Sequence, residues 1–497
     1  MRVILASSEV VPFAKTGGLA DVAGVLPREL EKLGHDVSVF LPAYQSIDRK
    51  HHEIKTTNVS FEIQIGDRLV AGKLLEAVLP DSQVKVFLVE QPGYFNRETF
   101  YGQSGKDFPD NCERFTFFCR AVLESLIQMD TAPDLIHLND WQTGLIPAFL
   151  KTDYNHHSCF EKTRTLITIH NLAYQGLFDY EKMAVAGLPA EYFNWRQVEF
   201  HGKMNLLKTG IVFADMINTV SPTYAKEIRE SEQGCGLEGV LQERAGQLAG
   251  ILNGIDVTDW NPAIDPFIEE NFSSDFDVSV GNSGKLACKR ALQKEANLNQ
   301  EINTPLIGIV GRLASQKGWS LIVPVMKQFL ESTNAQWIVL GTGDPSYHHQ
   351  LENLQQKYPD KLGLNLGFSN EFAHRIEAGS DMFLMPSQYE PCGLNQMYSM
   401  AYGTVPIVRR TGGLADTVVN ATHETCEYGT ANGFSFDEFS EEALCLTLKS
   451  ALQMYNDHRL IWNQLMQTGM KRDWSWRRSA KQYEELYHRT IEKKSLT

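Results

Sequence analysis

The feature that most constrains this chain is an alternation of short apolar runs with amphipathic stretches, set out twice. In the first half the runs fall at 3–7, 37–41, 84–89, 135–138, 166–169 and 217–220, with helical periodicity at 19–33, 114–129 and 223–229. In the second half they fall at 306–310, 337–340, 362–366, 382–385 and 405–408, each followed by a turn-like stretch and a helical segment. Strand and helix in alternation predict a parallel sheet covered by helices on both faces. The expected fold class is therefore α/β, with two doubly wound Rossmann-like domains. Residues 52–80 break the pattern: Val59-Ser60-Phe61-Glu62-Ile63 alternates polar with apolar, which suits an inserted antiparallel hairpin. The polar, Pro-containing stretch 260–300 reads as a hinge leading into the second domain. Residues 475–493 form an amphipathic helix carrying Trp476, Tyr483, Leu486, Tyr487 and Ile491, which should dock on one of the domains.

With 497 residues the chain is too long for one core of ordinary size. Lys+Arg 46 against Asp+Glu 61 leave a net charge of −15, which disfavours nucleic acid and anionic membranes as partners. A polyanionic ligand must then find a local basic pocket. No apolar stretch has the length of a membrane span, and Met1 runs into a strand-like start rather than a signal or transit peptide. The eight cysteines are scattered without a C-x-x-C pair, as for reduced thiols, and the expected location is cytoplasmic. His156-His157 and His348-His349 lack a strong ligand-spacing pattern, so no metal site is assigned.

Lys15-Thr16-Gly17-Gly18-Leu19-Ala20-Asp21 recurs as Arg410-Thr411-Gly412-Gly413-Leu414-Ala415-Asp416, identical at six of seven positions. Each copy lies between a strand and a helix, where backbone amides at a helix start can hold an anion. The alternative is that the glycines only permit a tight turn and close packing. Gly311-Arg312-Leu313-Ala314-Ser315-Gln316-Lys317-Gly318 follows the first strand of the second domain, placing Arg312 and Lys317 where a diphosphate would bind. Glu390-Pro391-Cys392-Gly393-Leu394 follows another strand, with Pro391 at the expected start of a helix. Glu390 then either faces a ligand beside the Cys392, Gly393 and Leu394 amides or caps the helix. In the first domain His137-Leu138-Asn139-Asp140-Trp141-Gln142 and Ile169-His170-Asn171 close two strands of one sheet, suggesting a crevice lined by Asp140 and His170.

These motifs, with Asn253-Gly254-Ile255-Asp256 and Glu390 to Tyr398, closely resemble those of the bacterial glycogen synthase and plant starch synthase family, in the same order from residue 1 to about Trp476. The lack of a transit peptide favours the bacterial branch. The resemblance implies a GT-B fold with an interdomain active-site cleft. The implied domains are 1–255 on the glucan acceptor side, 256–474 on the ADP-glucose side, and a helix at 475–497 packing back on the first. It implies a retaining glucosyltransferase that extends an α-1,4-glucan from ADP-glucose at the non-reducing-end 4-hydroxyl, with no metal or other cofactor. By the same resemblance Lys15 lies beside the donor diphosphate with Gly17, Gly18 and Asp21 on its loop. Arg312 and Lys317 hold the phosphates, and Glu390 sits by the transferred sugar. Asp140, His170, Asn171 and Asn253 surround the glucosyl group or ADP, and Phe368 stacks on adenine where the usual residue is Tyr.

Two departures qualify the match. Many related retaining transferases carry a second Glu eight residues after the first, and here Tyr398 stands there, as in starch and glycogen synthases. Asn139 and Gln142 flank the Asp140-Trp141 pair, where the family has more than one His. The rival readings are a transferase using UDP-glucose or another acceptor and a non-catalytic glucan-binding protein of the same fold.

Overall fold

The computed structural model describes residues 1–103 and 105–492. The chain divides into two compact units, Met1–Asn253 together with the chain from Trp476, and Gly254–Ser475. The strands of the first unit's main sheet are β1 (Arg2–Ala6), β2 (Asp36–Pro42), β3 (Lys55–Ile65), β4 (Arg68–Val78), β5 (Lys85–Glu90), β6 (Leu135–Asn139), β7 (Arg164–Ile169), β8 (Met216–Thr219) and β9 (Leu248–Gly250). They lie in the order β9-β8-β7-β6-β1-β2-β5-β4-β3. The seven apolar strands pair in parallel, and both faces of β1 are buried, as its continuous run Val3, Ile4, Leu5, Ala6 requires.

Residues 55–78 form a hairpin that extends this sheet, β4 pairing antiparallel with both β3 and β5. Its alternation explains the geometry: Phe61, Ile63 and Ile65 are buried while the polar residues between them are exposed. Phe61 meets Phe117 of the helix Asn111–Gln128 at 5.9 Å between ring centroids.

The helix Trp476–Glu492 belongs to this unit and buries Trp476, Tyr483, Leu486 and Tyr487, with Ile491 half-buried. Its tyrosines reach polar groups inside the sheet. Tyr487 Oη lies 2.8 Å from His137 Nδ1, and Asn218 Nδ2 donates to Tyr483 Oη at 3.0 Å. His137 Nε2 is 2.7 Å from Thr168 Oγ1, so both ring nitrogens are engaged; burial pushes the imidazole pKa down to about 3.

The second unit holds β10 (Leu306–Val310), β11 (Gln336–Leu340), β12 (Leu362–Asn365), β13 (Met382–Met385), β14 (Val405–Arg409) and β15 (Phe434–Phe436), all paired in parallel in the order β12-β11-β10-β13-β14-β15. This is the doubly wound order in which the third strand in sequence lies at one edge and the direction of winding reverses beside the first.

The stretch 260–300 is not simply a hinge, because it contains the helix Ser283–Glu295, which packs inside the second unit. Apolar periodicity missed it because its core-facing positions include lysines. Lys285 Nζ donates to Ala378 O, Tyr402 O and Thr404 Oγ1 at 2.6–3.0 Å. Lys289 Nζ pairs with Asp381 at 2.6 Å and donates to Tyr455 Oη at 2.9 Å.

Replacing Tyr487 by Phe leaves His137 Nδ1 buried without its partner. We expect Tyr487→Phe to lower the unfolding free energy by about 1–3 kcal/mol, read from urea denaturation.

Candidate functional site

In an open parallel sheet the loops beyond the carboxyl ends of adjacent strands diverge where the winding reverses, and a crevice opens between them. In the second unit that point lies between β10 and β13. A cavity of about 220 Å³ occupies it, lined by Arg312, Lys317, Ser387, Glu390, Gly393 and Leu394 among others. A larger cavity of about 680 Å³ lies in the same unit against the helix Ser283–Glu295 and contains none of these residues. Volume is therefore not what marks the site.

The two loops are held rigidly. Leu313 N donates to Thr342 O at 2.9 Å and Asp344 N returns a bond to Leu313 O at 2.8 Å, anchoring the backbone beside Arg312. Trp319 Nε1 donates to Arg312 O at 2.9 Å, while the Arg312 side chain is exposed. Gly318 has φ +80°, and a Cβ there would lie 2.2 Å from Pro386 O, so only glycine lets the loops approach this closely. Lys317 Nζ sits 2.6 Å from Glu390 Oε2, and Ser387 Oγ donates to the same oxygen at 2.9 Å. Glu390 is only 6% exposed.

Two expectations about this region are corrected. Pro391 does not begin a helix: the helix runs Asn395–Ala401, and Glu390 is held by Lys317 and Ser387 instead of capping it. The Gly412-Gly413 amides are not presented jointly to an anion, because Gly413 N donates to Glu390 O at 3.1 Å. A Cβ on Gly412 would lie 2.0 Å from Glu390 O, and one on Gly413 2.0 Å from Cys392 O. The second copy of the repeat thus acts by close packing against the Glu390 loop. Cys392 is buried and lies outside the cavity lining, unlike Gly393 and Leu394. Tyr398 is stacked on Trp260, ring centroids 3.8 Å apart. Phe368 is 91% exposed and does not line the cavity.

In the first unit the reversal falls between β1 and β6, and the polar strand ends gather there. The buried Glu9 carboxylate beyond β1 accepts from Thr16 N, from Thr16 Oγ1 at 2.6 Å, from Gly17 N at 3.2 Å and from Tyr101 Oη at 2.6 Å. The Gly17 amide expected to meet an external anion therefore meets a carboxylate of the chain itself. Gly18 begins the helix Gly18–Lys32 and its amide is not engaged by Glu9. Lys15 Nζ, on the same loop, pairs with Asp21 at 2.7 Å and is half exposed. Among the described residues no atom lies within 4 Å of a Cβ built on Gly17, so this position has none of the packing constraint found at its counterpart Gly412.

Asp140 Oδ1 accepts from His170 N at 2.7 Å, and its carboxylate also receives the Asn171 amide. Burial nevertheless pushes its pKa up to about 7, outweighing the two amides, and the nearby Glu9 charge adds to the rise. His170 Nε2 lies 2.8 Å from Asn139 Oδ1, and Asn139 Nδ2 donates to Ala6 O at 3.1 Å. Those directions put the proton of His170 on Nε2 and leave Nδ1 as an acceptor. Burial pushes the imidazole pKa down to about 3, so it is neutral at physiological pH. Asn171 Oδ1 accepts from Ala173 N at 3.1 Å, and among the described residues the buried Asn253 Oδ1 has no partner.

Glu9, Tyr101 and Ser387 were assigned no role from the sequence, and Asn139 was noted there only as a departure beside Asp140. Glu9 had a readable signal, a carboxylate just beyond a buried strand and upstream of a glycine turn. Tyr101 had none, since 92 residues separate it from Glu9.

The starch synthase catalytic domain family matches residues 2–243, and the glycosyl transferases group 1 family matches residues 292–464. Glycogen synthase of Rhodopirellula baltica is 45% identical over 501 residues, covering 99% of this chain and 98% of its own. Glycogen synthase 2 of Geobacter metallireducens is 47% identical over 487 residues, with 98% of each chain covered. The catalytic domain of starch synthase IV from Arabidopsis thaliana, bound to ADP and acarbose, superposes with a TM-score of 0.89 at 34% identity over 99% of both chains. Sucrose-phosphate synthase of Thermosynechococcus elongatus, at 18% identity and a TM-score of 0.59 over 98% of both chains, shares the fold.

The two copies of the repeat should respond unequally to a methyl group. Gly413→Ala should lower the unfolding free energy by about 1–3 kcal/mol through overpacking. Gly17→Ala should change it by less than about 1 kcal/mol in either direction, both read by chemical denaturation.

Asp140 should also leave a signature in stability against pH. With its folded pKa raised, the native state keeps a proton that the unfolded chain has released. Relative to Asp140→Asn, the parent should therefore lose stability as pH rises from about 4 to about 7 and then level off. Melting temperatures of both proteins across that range check the slope.

Proposed function

Because the chain belongs to the starch and glycogen synthase family of glycosyltransferases, we propose that it transfers glucose from ADP-glucose to the 4-hydroxyl at the non-reducing end of an α-1,4-glucan. In this reading the anomeric configuration is retained and no metal ion takes part. The observation that carries it is the convergence of Arg312, Lys317 and Glu390 on one cavity at the switch point of the second unit. The full-length likeness to glycogen synthases supports the glucan acceptor, and the likeness to a starch synthase bound to ADP supports the nucleotide.

The bond between the anomeric carbon and the diphosphate oxygen breaks, and its electron pair leaves on ADP. Negative charge grows on the β-phosphate, so catalysis needs cations already in place. Arg312 extends into solvent from an anchored backbone, and Lys317 has an ammonium that can donate three hydrogen bonds. The acceptor 4-hydroxyl forms the new bond to the anomeric carbon, and its proton passes to the departing diphosphate oxygen. Glu390 presents negative charge to the sugar as positive charge develops at that carbon. His170, neutral and with Nδ1 free of the Asn139 bond, accepts a hydrogen bond from a sugar hydroxyl. Lys15 and the Gly18 amide give the first unit its own region of positive potential for an anionic group. Phe368 supplies an exposed ring for the adenine. The donor is assigned to the second unit and the acceptor to the first.

The test is incorporation of labelled glucose into glycogen from ADP-glucose and UDP-glucose side by side, with and without EDTA. ADP-glucose should be the better donor and EDTA should leave the rate unchanged. Arg312→Ala and Lys317→Ala should each lower kcat by roughly 10²- to 10³-fold, with little change in melting temperature for the exposed Arg312 and a lower one for Lys317→Ala, which leaves the buried Glu390 carboxylate without its cation. Preference for UDP-glucose would refute the donor assignment, loss of activity in EDTA the metal-free reading, and near-normal kcat in both variants the diphosphate site.

A further inference from the structure

Glu390 Oε2 receives two donors, Lys317 Nζ at 2.6 Å and Ser387 Oγ at 2.9 Å, and among the described residues no donor meets Oε1. The two donors differ in what else they can do. Lys317 is a charge on a flexible four-carbon stem, one quarter exposed, at the rim of the cavity. In the reading above it is also the cation for the departing diphosphate, and any strong contact made there draws it away from the carboxylate. Ser387 lies two residues beyond β13, is 1% exposed, and has a hydroxyl on a short stem with one proton to give.

The backbone of Glu390 is independently secured. Gly413 N donates to its carbonyl, and Gly412 packs so closely that a Cβ would lie 2.0 Å from the same oxygen. What the backbone contacts leave undetermined is the set of side-chain torsions, and these decide where Oε1 points. We infer that Ser387 is the positioning residue that holds Glu390 when the nucleotide sugar occupies Lys317, so that Oε2 stays bound and Oε1 faces the transferred glycosyl group. Before the donor arrives the carboxylate has two partners; afterwards it has one, and that one is charge-assisted and anchored to the sheet. The inference rests on the assignment of Lys317 to the diphosphate, and not on which base the nucleotide carries.

The test compares full-length Ser387→Ala, Ser387→Cys, Glu390→Ala and the double variant Ser387→Ala/Glu390→Ala with the parent. Rates are taken with whichever nucleotide sugar the parent turns over fastest. A wrong donor assignment then shows in the parent alone, and a wrong role for Lys317 shows in Lys317→Ala. Loss of the hydroxyl should lower kcat roughly 10- to 100-fold while the ADP Kd stays within about twofold, because the contacts to the nucleotide remain. Ser387→Cys, close in size but a weaker donor, should fall between parent and Ser387→Ala, and it carries the test if the alanine variant does not fold. In the Glu390→Ala background, removing Ser387 should cost no further rate, since its effect passes through the missing carboxylate. A parent-like kcat in Ser387→Ala and Ser387→Cys overturns the proposal. So does a full additional loss in the double variant, or a fall in kcat matched by an equal weakening of ADP binding.

Discussion

A doubly wound parallel sheet must open a crevice beside its first strand, because the crossovers on either side leave in opposite directions. Both units of this chain obey that constraint, and their chemistry gathers where it directs. The segments just beyond β1, β6 and β7 carry Glu9, Asp140 and His170. The loops after β10 and β13 bring Lys317 to 2.6 Å from Glu390 across 73 residues of sequence. No local propensity contributes to that contact. It follows from placing β13 next to β10 in the sheet.

The duplicated heptapeptide shows how such a frame assigns different work to one sequence. In the first unit Glu9 draws the Thr16 and Gly17 amides inward, while the space around Gly17 is open. In the second unit the same glycines lie against the Glu390–Cys392 backbone, at separations that exclude any side chain. The first copy shapes a loop that carries a cation, and the second supports the backbone of a carboxylate.

Burial sets the charge states around these loops. Asp140 accepts two amides, which favours ionisation, yet desolvation outweighs them and its pKa rises to about 7. His170 is held neutral by burial, so it serves as a hydrogen-bond acceptor and not as a standing cation. Lys285, whose ammonium is turned inward to three acceptors, has its pKa pushed down to about 8 by burial. Its charge is committed to joining the helix Ser283–Glu295 to the ends of the helices Asn370–Gly379 and Asn395–Ala401. Arg312 and Lys317 keep access to solvent and can meet a ligand.

The amino-acid sequence alone determined the two α/β units, the inserted hairpin, the family and the cavity residues Arg312, Lys317 and Glu390, because each rests on short-range periodicity or on contiguous motifs. It misread the helix Ser283–Glu295, whose inward lysines look like surface until Asp381, Tyr455 and the helix-end carbonyls of Ala378 and Tyr402 are brought against them. Pro391 likewise suggested a helix start, which the Gly413–Glu390 bond and the Lys317 ion pair replace with an extended loop. Which glycine amides were already taken, which tautomer His170 adopts and which oxygen of Glu390 receives the Lys317 and Ser387 donors were decided only by tertiary structure. Each depends on a partner such as Glu9, Asn139 or Ser387 whose relevance is a matter of distance and direction in space, and a linear pattern carries neither.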